Sequence, residues 1–176
     1  MSKGLRVFFI VSSGFLPMML HWSISSSLGL ILGSIALVCI LIKEVFEKNI
    51  SLMTKTLTVY FLISNILYFI FDINKVIINR HLYTYILLGT MSLYSLIIRK
   101  PFTMDGAKNG YEKGFDISPL FIEVNMLIST IWCTTYIINS IFRFIGNGPI
   151  FIILPNILII IAIACSITIP NLMPDV

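Results

Sequence analysis

The chain has 176 residues, of which 57% are hydrophobic and 11% are charged, and its formal net charge is +4. About a quarter of the residues in a typical soluble domain are charged, so this composition excludes an ordinary soluble domain. The basic residues are spread over several connections, which suits lipid headgroups and membrane topology and argues against a nucleic-acid partner.

Charged residues occur almost entirely in short gaps between apolar tracts, and residues 7–42 contain none. A helix needs about 20 apolar residues to cross about 30 Å of hydrocarbon. Barrel strands would alternate apolar and polar residues, whereas these tracts are apolar on all faces. The sequence therefore predicts an all-α polytopic transmembrane bundle, with residues 1–176 forming a single integral membrane domain. Its six hydrophobic segments are residues 7–20, 28–42, 56–71, 82–98, 119–142 and 150–169.

The first of these segments imitates a signal peptide, because Lys3 and Arg6 precede an apolar run and small residues follow it. Gly14 and Pro17 interrupt the run, however, and a second apolar stretch follows directly. We predict an uncleaved segment that either crosses the membrane or is re-entrant, which gives six or five crossings.

The basic residues predict the orientation of the chain. With six crossings, one side holds nine basic residues and the other holds three, Lys75, Arg80 and Arg143. With a re-entrant first segment the division is seven to five. Because Lys and Arg are enriched in cytoplasmic connections, both arrangements place residues 99–118 and the C-terminus in the cytoplasm.

The loop of residues 99–118 is the longest polar stretch. Arg99 and Lys100 end a helix, where cations complement the helix dipole and reach anionic headgroups, and Pro101 then redirects the chain. Together with Lys108 and Lys113, these residues are the candidate contacts for a partner protein or an acidic lipid. The alternative is a solvated connection that only sets topology.

Three polar side chains, Glu123, Asn125 and Asn139, fall within the fifth segment. Ionisable groups inside a membrane are costly. Glu123 is therefore either a cation or proton site in a bundle cavity or, because it is near a helix N-terminus, an interface anchor paired with a basic residue of the loop. Amides such as Asn125 and Asn139 commonly hydrogen-bond between helices, contributing about 1 kcal/mol each.

The sequence has no motif typical of a metal, a cofactor or a phosphate-binding loop. His21 and His81 lie at segment ends, and the three cysteines lie far apart inside apolar tracts, without the spacing of a metal or haem site. We expect no metal, no cofactor and no enzymatic activity, since catalysis needs positioned acid–base or metal groups.

Several short motifs follow one another along the chain: Phe15-Leu16-Pro17, Lys100-Pro101, then Asn125, Trp132 and Asn139, and finally Met173-Pro174. Their order resembles the intracellular septation protein A family of bacterial inner-membrane proteins, or a related group of bacterial membrane proteins. The loop departs from the family pattern, since it reads Pro-Phe-Thr where Pro-Leu is usual and is longer and more charged. The resemblance implies a multi-pass protein of the bacterial cytoplasmic (inner) membrane with a part in envelope integrity and cell division, and it supplies no catalytic residue.

We therefore expect a non-enzymatic multispanning membrane protein in bacterial envelope organisation or cell division, acting through protein or lipid contacts. Its expected partners are membrane lipids, other membrane proteins and, as a further option, a second copy of the chain. The alternative function is a small transporter or channel with Glu123 at a cation or proton site.

Overall fold

A computed structural model describes residues 14–24, 26–108, 117–146 and 148–171. Within these ranges the chain is helical and contains no strand, which confirms the all-α prediction. The helices in chain order are α1 Leu16–Ser23, α2 Ser27–Phe46, α3 Leu52–Asn65 with a π-helical extension Ile66–Ile70, α4 Lys75–Ile78, α5 Arg80–Ile97, α6 Thr103–Ala107, α7 Pro119–Ile145 and α8 Pro149–Asn171.

Four helical stretches in the described part of the chain are long and apolar enough to cross a membrane. They are Ser27–Phe46, Leu52–Ile70, Pro119–Ile145 and Pro149–Pro170, and they indicate a membrane protein. These four stretches correspond to four of the six predicted hydrophobic segments, so six segments are not confirmed. The first predicted segment, residues 7–20, lies partly outside the described residues. Its last part falls in α1.

Helix α5 takes the place of the fourth predicted segment but is not among the four apolar stretches. It begins at Arg80 and carries His81 and several Tyr, Thr and Ser residues. Part of this polarity lies inside the bundle, because α5 packs most extensively against α7 and buries Thr84, Ser92 and Ser95. Ser92 donates to the Leu88 carbonyl within its own helix at 2.7 Å, so the buried hydroxyl is satisfied without a partner helix.

The other helices surround this α5–α7 pair. Helix α1 packs on α2, α2 packs on α3, and α8 packs on α7. Large side chains from several helices fill the space between them, among them Phe61, Leu88, Trp132 and Tyr136. Many apolar side chains on the outer faces are exposed, as expected for helices surrounded by lipid.

The connections collect at two ends of the bundle. At the first, which we call the Lys100 end, α2 and α5 terminate and α3 and α7 begin. At the second, the Arg80 end, α1 and α7 terminate and α5 begins. The Lys100 end corresponds to the side that was predicted to be cytoplasmic.

Two helices, α2 and α5, end at the Lys100 end with the same backbone conformation. Lys48 and Arg99 each have a φ of 52°, the left-handed region that usually takes glycine. The N–H that follows each of them reaches back five residues, from Asn49 to Glu44 and from Lys100 to Ser95, both at 3.0 Å. This Schellman pattern turns the chain sharply and directs Pro101 into the protein, where it is fully buried.

Candidate functional site

Carboxylates at the Lys100 end hydrogen-bond to the backbone near the start of α3. One carboxylate oxygen of Asp105 accepts from the backbone N–H of Leu52 at 3.1 Å, and the other accepts from Lys108 at 3.4 Å. Glu44 accepts from both the N–H and the hydroxyl of Ser51 at 3.0 Å, and the Ser51 hydroxyl caps the N–H of Thr54 at 3.1 Å. These bonds satisfy donors that a helix N-terminus leaves free. The Asp105 bond joins α6 to α3, and the Glu44 bonds join α2 to the start of α3.

Buried polar contacts attach α6 to α7 as well. The Thr103 hydroxyl lies 2.9 Å from the side-chain oxygen of Asn125 and 3.0 Å from the Ser129 hydroxyl. The Asn125 amide in turn donates to the Phe121 carbonyl at 2.8 Å. Phe102 and Thr103 are buried, so the first part of the predicted loop is a packed element rather than a solvated connection.

The cations at this end remain on the surface. The carboxylates of Glu44 and Asp105 are engaged with the N-terminal turn of α3, and Glu47 lies 3.9 Å from Lys43 in an exposed pair. We use the name basic platform for the exposed cations of the Lys100 end, which are Lys43, Lys48, Lys55, Arg99 and Lys100. Three connected elements, α2, α3 and the start of the 99–108 stretch, supply them.

The remaining candidates of the loop and of α7 lie apart from one another. Lys108 is paired with Asp105, and Lys113 falls outside the described residues. Glu123 is exposed in the second turn of α7 and is not enclosed in a bundle cavity. Asn139 is fully buried and donates to the Pro155 carbonyl of α8 at 3.3 Å, so its amide links two helices as such residues commonly do.

The Arg80 end holds a second polar group of residues, which sequence reasoning missed. We call it the Arg80 cluster, and its members are His21, Trp22, Arg80, His81, Tyr85 and Arg143. Arg80 donates to the Trp22 carbonyl at 3.3 Å, and the indole N–H of Trp22 donates to Thr84 at 2.9 Å. The Trp22 ring lies 5.6 Å from the ring of His81 and 5.2 Å from that of Tyr85.

Positive charge dominates the electrostatics of the Arg80 cluster. Burial, together with the charges of Arg143 and Arg80, lowers the pKa of His81 to about 4. Burial and Arg80 likewise lower the pKa of His21 to about 4. Both histidines are therefore neutral at pH 7. A sequence signal existed, because His21-Trp22 and Arg80-His81 both stand at segment ends on the membrane side that also holds Arg143.

We compared the chain with models of protein families, with curated proteins and with solved structures. None of the three comparisons found a match. Within the described residues, His, Cys, Asp and Glu form no group of three or more that could hold a metal ion. The functional argument therefore depends on the geometry of the two ends.

Proposed function

We propose that the protein is a non-enzymatic multispanning membrane protein that acts in bacterial envelope organisation or cell division by binding other membrane components at its Lys100 end. The observation that carries this proposal is the basic platform. Five cations are exposed, while the nearby carboxylates of Glu44 and Asp105 are engaged with the start of α3. The platform is thus an attractive surface for an acidic protein segment.

Rigidity of the platform supports a binding role. Flexible side chains lose entropy when a partner immobilises them, and a surface held in place loses less. The bonds from Asp105 to Leu52 and from Thr103 to Asn125 connect the elements that present the cations. A connection that only sets topology would need the charges but not these bonds.

The distribution of charge supports a cytoplasmic position for this end. Nine basic residues lie on the side of the Lys100 end when all six segments cross, against three on the other, and the positive-inside rule assigns the richer side to the cytoplasm. The resemblance to the septation protein A family agrees with a place in the bacterial inner membrane and with partners that are themselves membrane proteins.

The test is affinity capture of the full-length chain from gently solubilised native membranes, with proteins and lipids identified together by mass spectrometry. We compare the wild type with a variant in which Lys48, Lys55, Arg99 and Lys100 are all changed to Gln. An envelope or division protein captured in near-stoichiometric amount from the wild type should be lost from this variant. Capture of the same protein in equal amount would contradict the proposal.

Two controls separate charge from folding. Lys75→Gln removes an exposed cation at the opposite end and should leave capture unchanged. Replacement of residues 99–118 by a Gly/Ser linker of equal length should abolish capture while the protein still inserts into membranes. If the linker variant still captures the partner, contacts at the Lys100 end are not what recruits it.

The transporter alternative keeps a direct test at Glu123. A cation or proton pathway through this residue predicts solute flux in proteoliposomes that Glu123→Gln removes. Glu123 is exposed, whereas a transport site needs walls that exclude lipid. The position of Glu123 therefore supports a transporter less than the basic platform supports a binding role. Flux that depends on Glu123 would replace the proposal above.

A further inference from the structure

The Arg80 cluster contains positive charge without a negative partner. Among the described residues, neither Arg80 nor Arg143 forms an ion pair. The charged groups that act on His81 are Arg143 and Arg80, and the charged group that acts on His21 is Arg80. Arg143 also acts unfavourably on Arg80. Like charges held together in this way favour an anion between them.

Several hydrogen-bonding atoms of the cluster are buried and have no partner among the described residues. They are the Nε atoms of Arg80 and Arg143 and the Nδ1 atoms of His21 and His81. Buried polar groups in folded proteins are almost always hydrogen-bonded, so orphaned ones call for a ligand, a water or an ion. An arginine Nε–H is a donor only, so the partner must supply acceptor oxygens.

An apolar groove begins next to this cluster. It has a volume of about 170 Å³ and lies between α5 and α7, lined by Tyr85, Ile86, Gly89, Thr90, Leu93, Ile137 and Ser140. Tyr85 belongs to both the groove and the cluster. On each of the two helices a residue of the Arg80 cluster lies one turn beyond the groove. His81 precedes Tyr85 by four residues, and Arg143 follows Ser140 by three.

The size and wall chemistry of the groove fit a hydrocarbon chain. Ile86, Leu93 and Ile137 are exposed in the groove wall, where lipid surrounds the bundle. A volume of about 170 Å³ is well above the roughly 10–15 Å³ that one water molecule needs on the same kind of measure, so the groove has room for part of an acyl chain. The aromatic rings of Trp22 and Tyr85 at its mouth belong to the residue types that favour the level of the headgroups.

We propose that the Arg80 end binds one anionic phospholipid, whose phosphate lies against Arg143, Arg80 and His81 and one of whose acyl chains lies in the α5–α7 groove. Arg80 is already held by the carbonyls of Ile77 and Trp22 at 3.0 and 3.3 Å, so it is pre-organised. Arg143 makes no hydrogen bond in the described part of the chain and is free to close on the phosphate. A free anion would use the charges but not the groove.

The test uses the purified full-length chain in a zwitterionic detergent after removal of native lipid. Native mass spectrometry and thermal unfolding are followed as phosphatidylglycerol, phosphatidylcholine or inorganic phosphate is added. Phosphatidylglycerol should bind at one site and about tenfold more tightly than phosphatidylcholine, which is the factor that one additional charge-assisted contact contributes. Inorganic phosphate should bind much more weakly than the lipid.

Two variants examine the two halves of the site. Arg143→Met should lower the affinity for phosphatidylglycerol about tenfold, and Arg143→Lys should keep part of it. Thr90→Phe fills the groove from an exposed position, so it should weaken lipid binding while the charged cluster stays intact. Lys75→Met, which removes an exposed cation that belongs neither to the Arg80 cluster nor to the basic platform, is the matched control and should bind lipid as the wild type does.

Four results would overturn the proposal. Equal affinity of wild type and Arg143→Met would show that the cluster does not hold the phosphate. Binding of inorganic phosphate as strong as that of the lipid would assign the site to a free anion. Unchanged lipid binding in Thr90→Phe, or a lipid-independent dimer that covers the groove, would show that no acyl chain lies there.

Discussion

The two ends of the bundle treat charge in opposite ways. At the Lys100 end, Asp105 and Glu44 hydrogen-bond to the backbone at the start of α3, and the cations remain on the surface. At the Arg80 end, the charges of Arg80 and Arg143 both act on His81, with no carboxylate among the groups that do so. Within the described residues, the buried side-chain nitrogens without a hydrogen-bond partner include those of Arg80, His81 and Arg143 at the second end, and none belongs to Glu44 or Asp105 at the first.

This difference shows that lysine and arginine residues can have different roles at the two ends of one protein. An exposed lysine or arginine next to a membrane sets topology and attracts acidic surfaces, but each such charge contributes little to stability. A buried arginine Nε–H that lacks an acceptor is costly, and a bound anion would offset that cost. The contrast leads to three predictions, in order of the expected change in stability.

The largest effect is expected at Gly33, where α1 docks to complete the Arg80 end. A Cβ atom at this position would lie 2.7 Å from the Phe61 ring and 2.7 Å from the Pro17 carbonyl oxygen. Because backbone cannot move aside cheaply, Gly33→Ala should lower the free energy of unfolding by about 1–3 kcal/mol. Thermal unfolding in detergent measures this loss.

Gly89→Ala is the control for that experiment. A Cβ atom there would lie 3.6 Å from Ile137 and Tyr136, which is ordinary contact, and alanine favours the helix by about 1 kcal/mol. This variant should be as stable as the wild type or more stable. If both glycine variants lose stability equally, close docking of α1 is not what holds the Arg80 end.

A smaller loss is expected from Asp105→Ala at the Lys100 end. The substitution leaves the N–H of Leu52 without its acceptor and frees Lys108, so stability should fall by about 1 kcal/mol, as for the loss of a helix cap. Glu47→Ala, which breaks only the exposed pair with Lys43, should cost less than about 0.5 kcal/mol. Equal losses in urea or thermal unfolding would mean that the Asp105 contact contributes no more than a surface pair.

The third effect should be a gain in stability rather than a loss. In lipid-free detergent, Arg143→Met removes a buried unpaired Nε–H and the unfavourable effect of Arg143 on Arg80, so stability should rise by about 1 kcal/mol. The gain should disappear when phosphatidylglycerol is present, because only the wild type then acquires a partner for the guanidinium. A loss of stability in the lipid-free state would erase the contrast between the two ends.

Sequence reasoning reached the helical class and the positions of the apolar stretches because hydrophobicity is a local property. It also found Arg99, Lys100 and Pro101 as the turn that follows the fourth segment, and Asn125 and Asn139 as buried amides. It predicted six apolar segments, whereas α5 is not among the four stretches that are apolar enough to cross a membrane, and it buries Thr84, Ser92 and Ser95 within the bundle. Burial of α5 against other helices reduces its contact with lipid, and only the assembled bundle reveals that.

Other features depend on contacts between distant parts of the chain. The bond from Asp105 to Leu52 joins residues 53 positions apart, and the one from Trp22 to Thr84 joins residues 62 apart. No local pattern indicates that Asp105 hydrogen-bonds to the start of α3. The exposure of Glu123 could not be predicted from the sequence either, because the sequence of a helix that is apolar on most faces does not show which face turns inward.

By itself the sequence determined that the protein is made of apolar helices, because hydrophobicity follows from the order of residue types along the chain. Only the tertiary structure decided which charges have partners. Helix packing turned Asp105 toward α3 and placed Arg80 and Arg143 where both act on His81, with no carboxylate of the described ranges among the groups that do so. The energy of a charge depends on what lies within a few ångströms of it, and that is fixed by the fold.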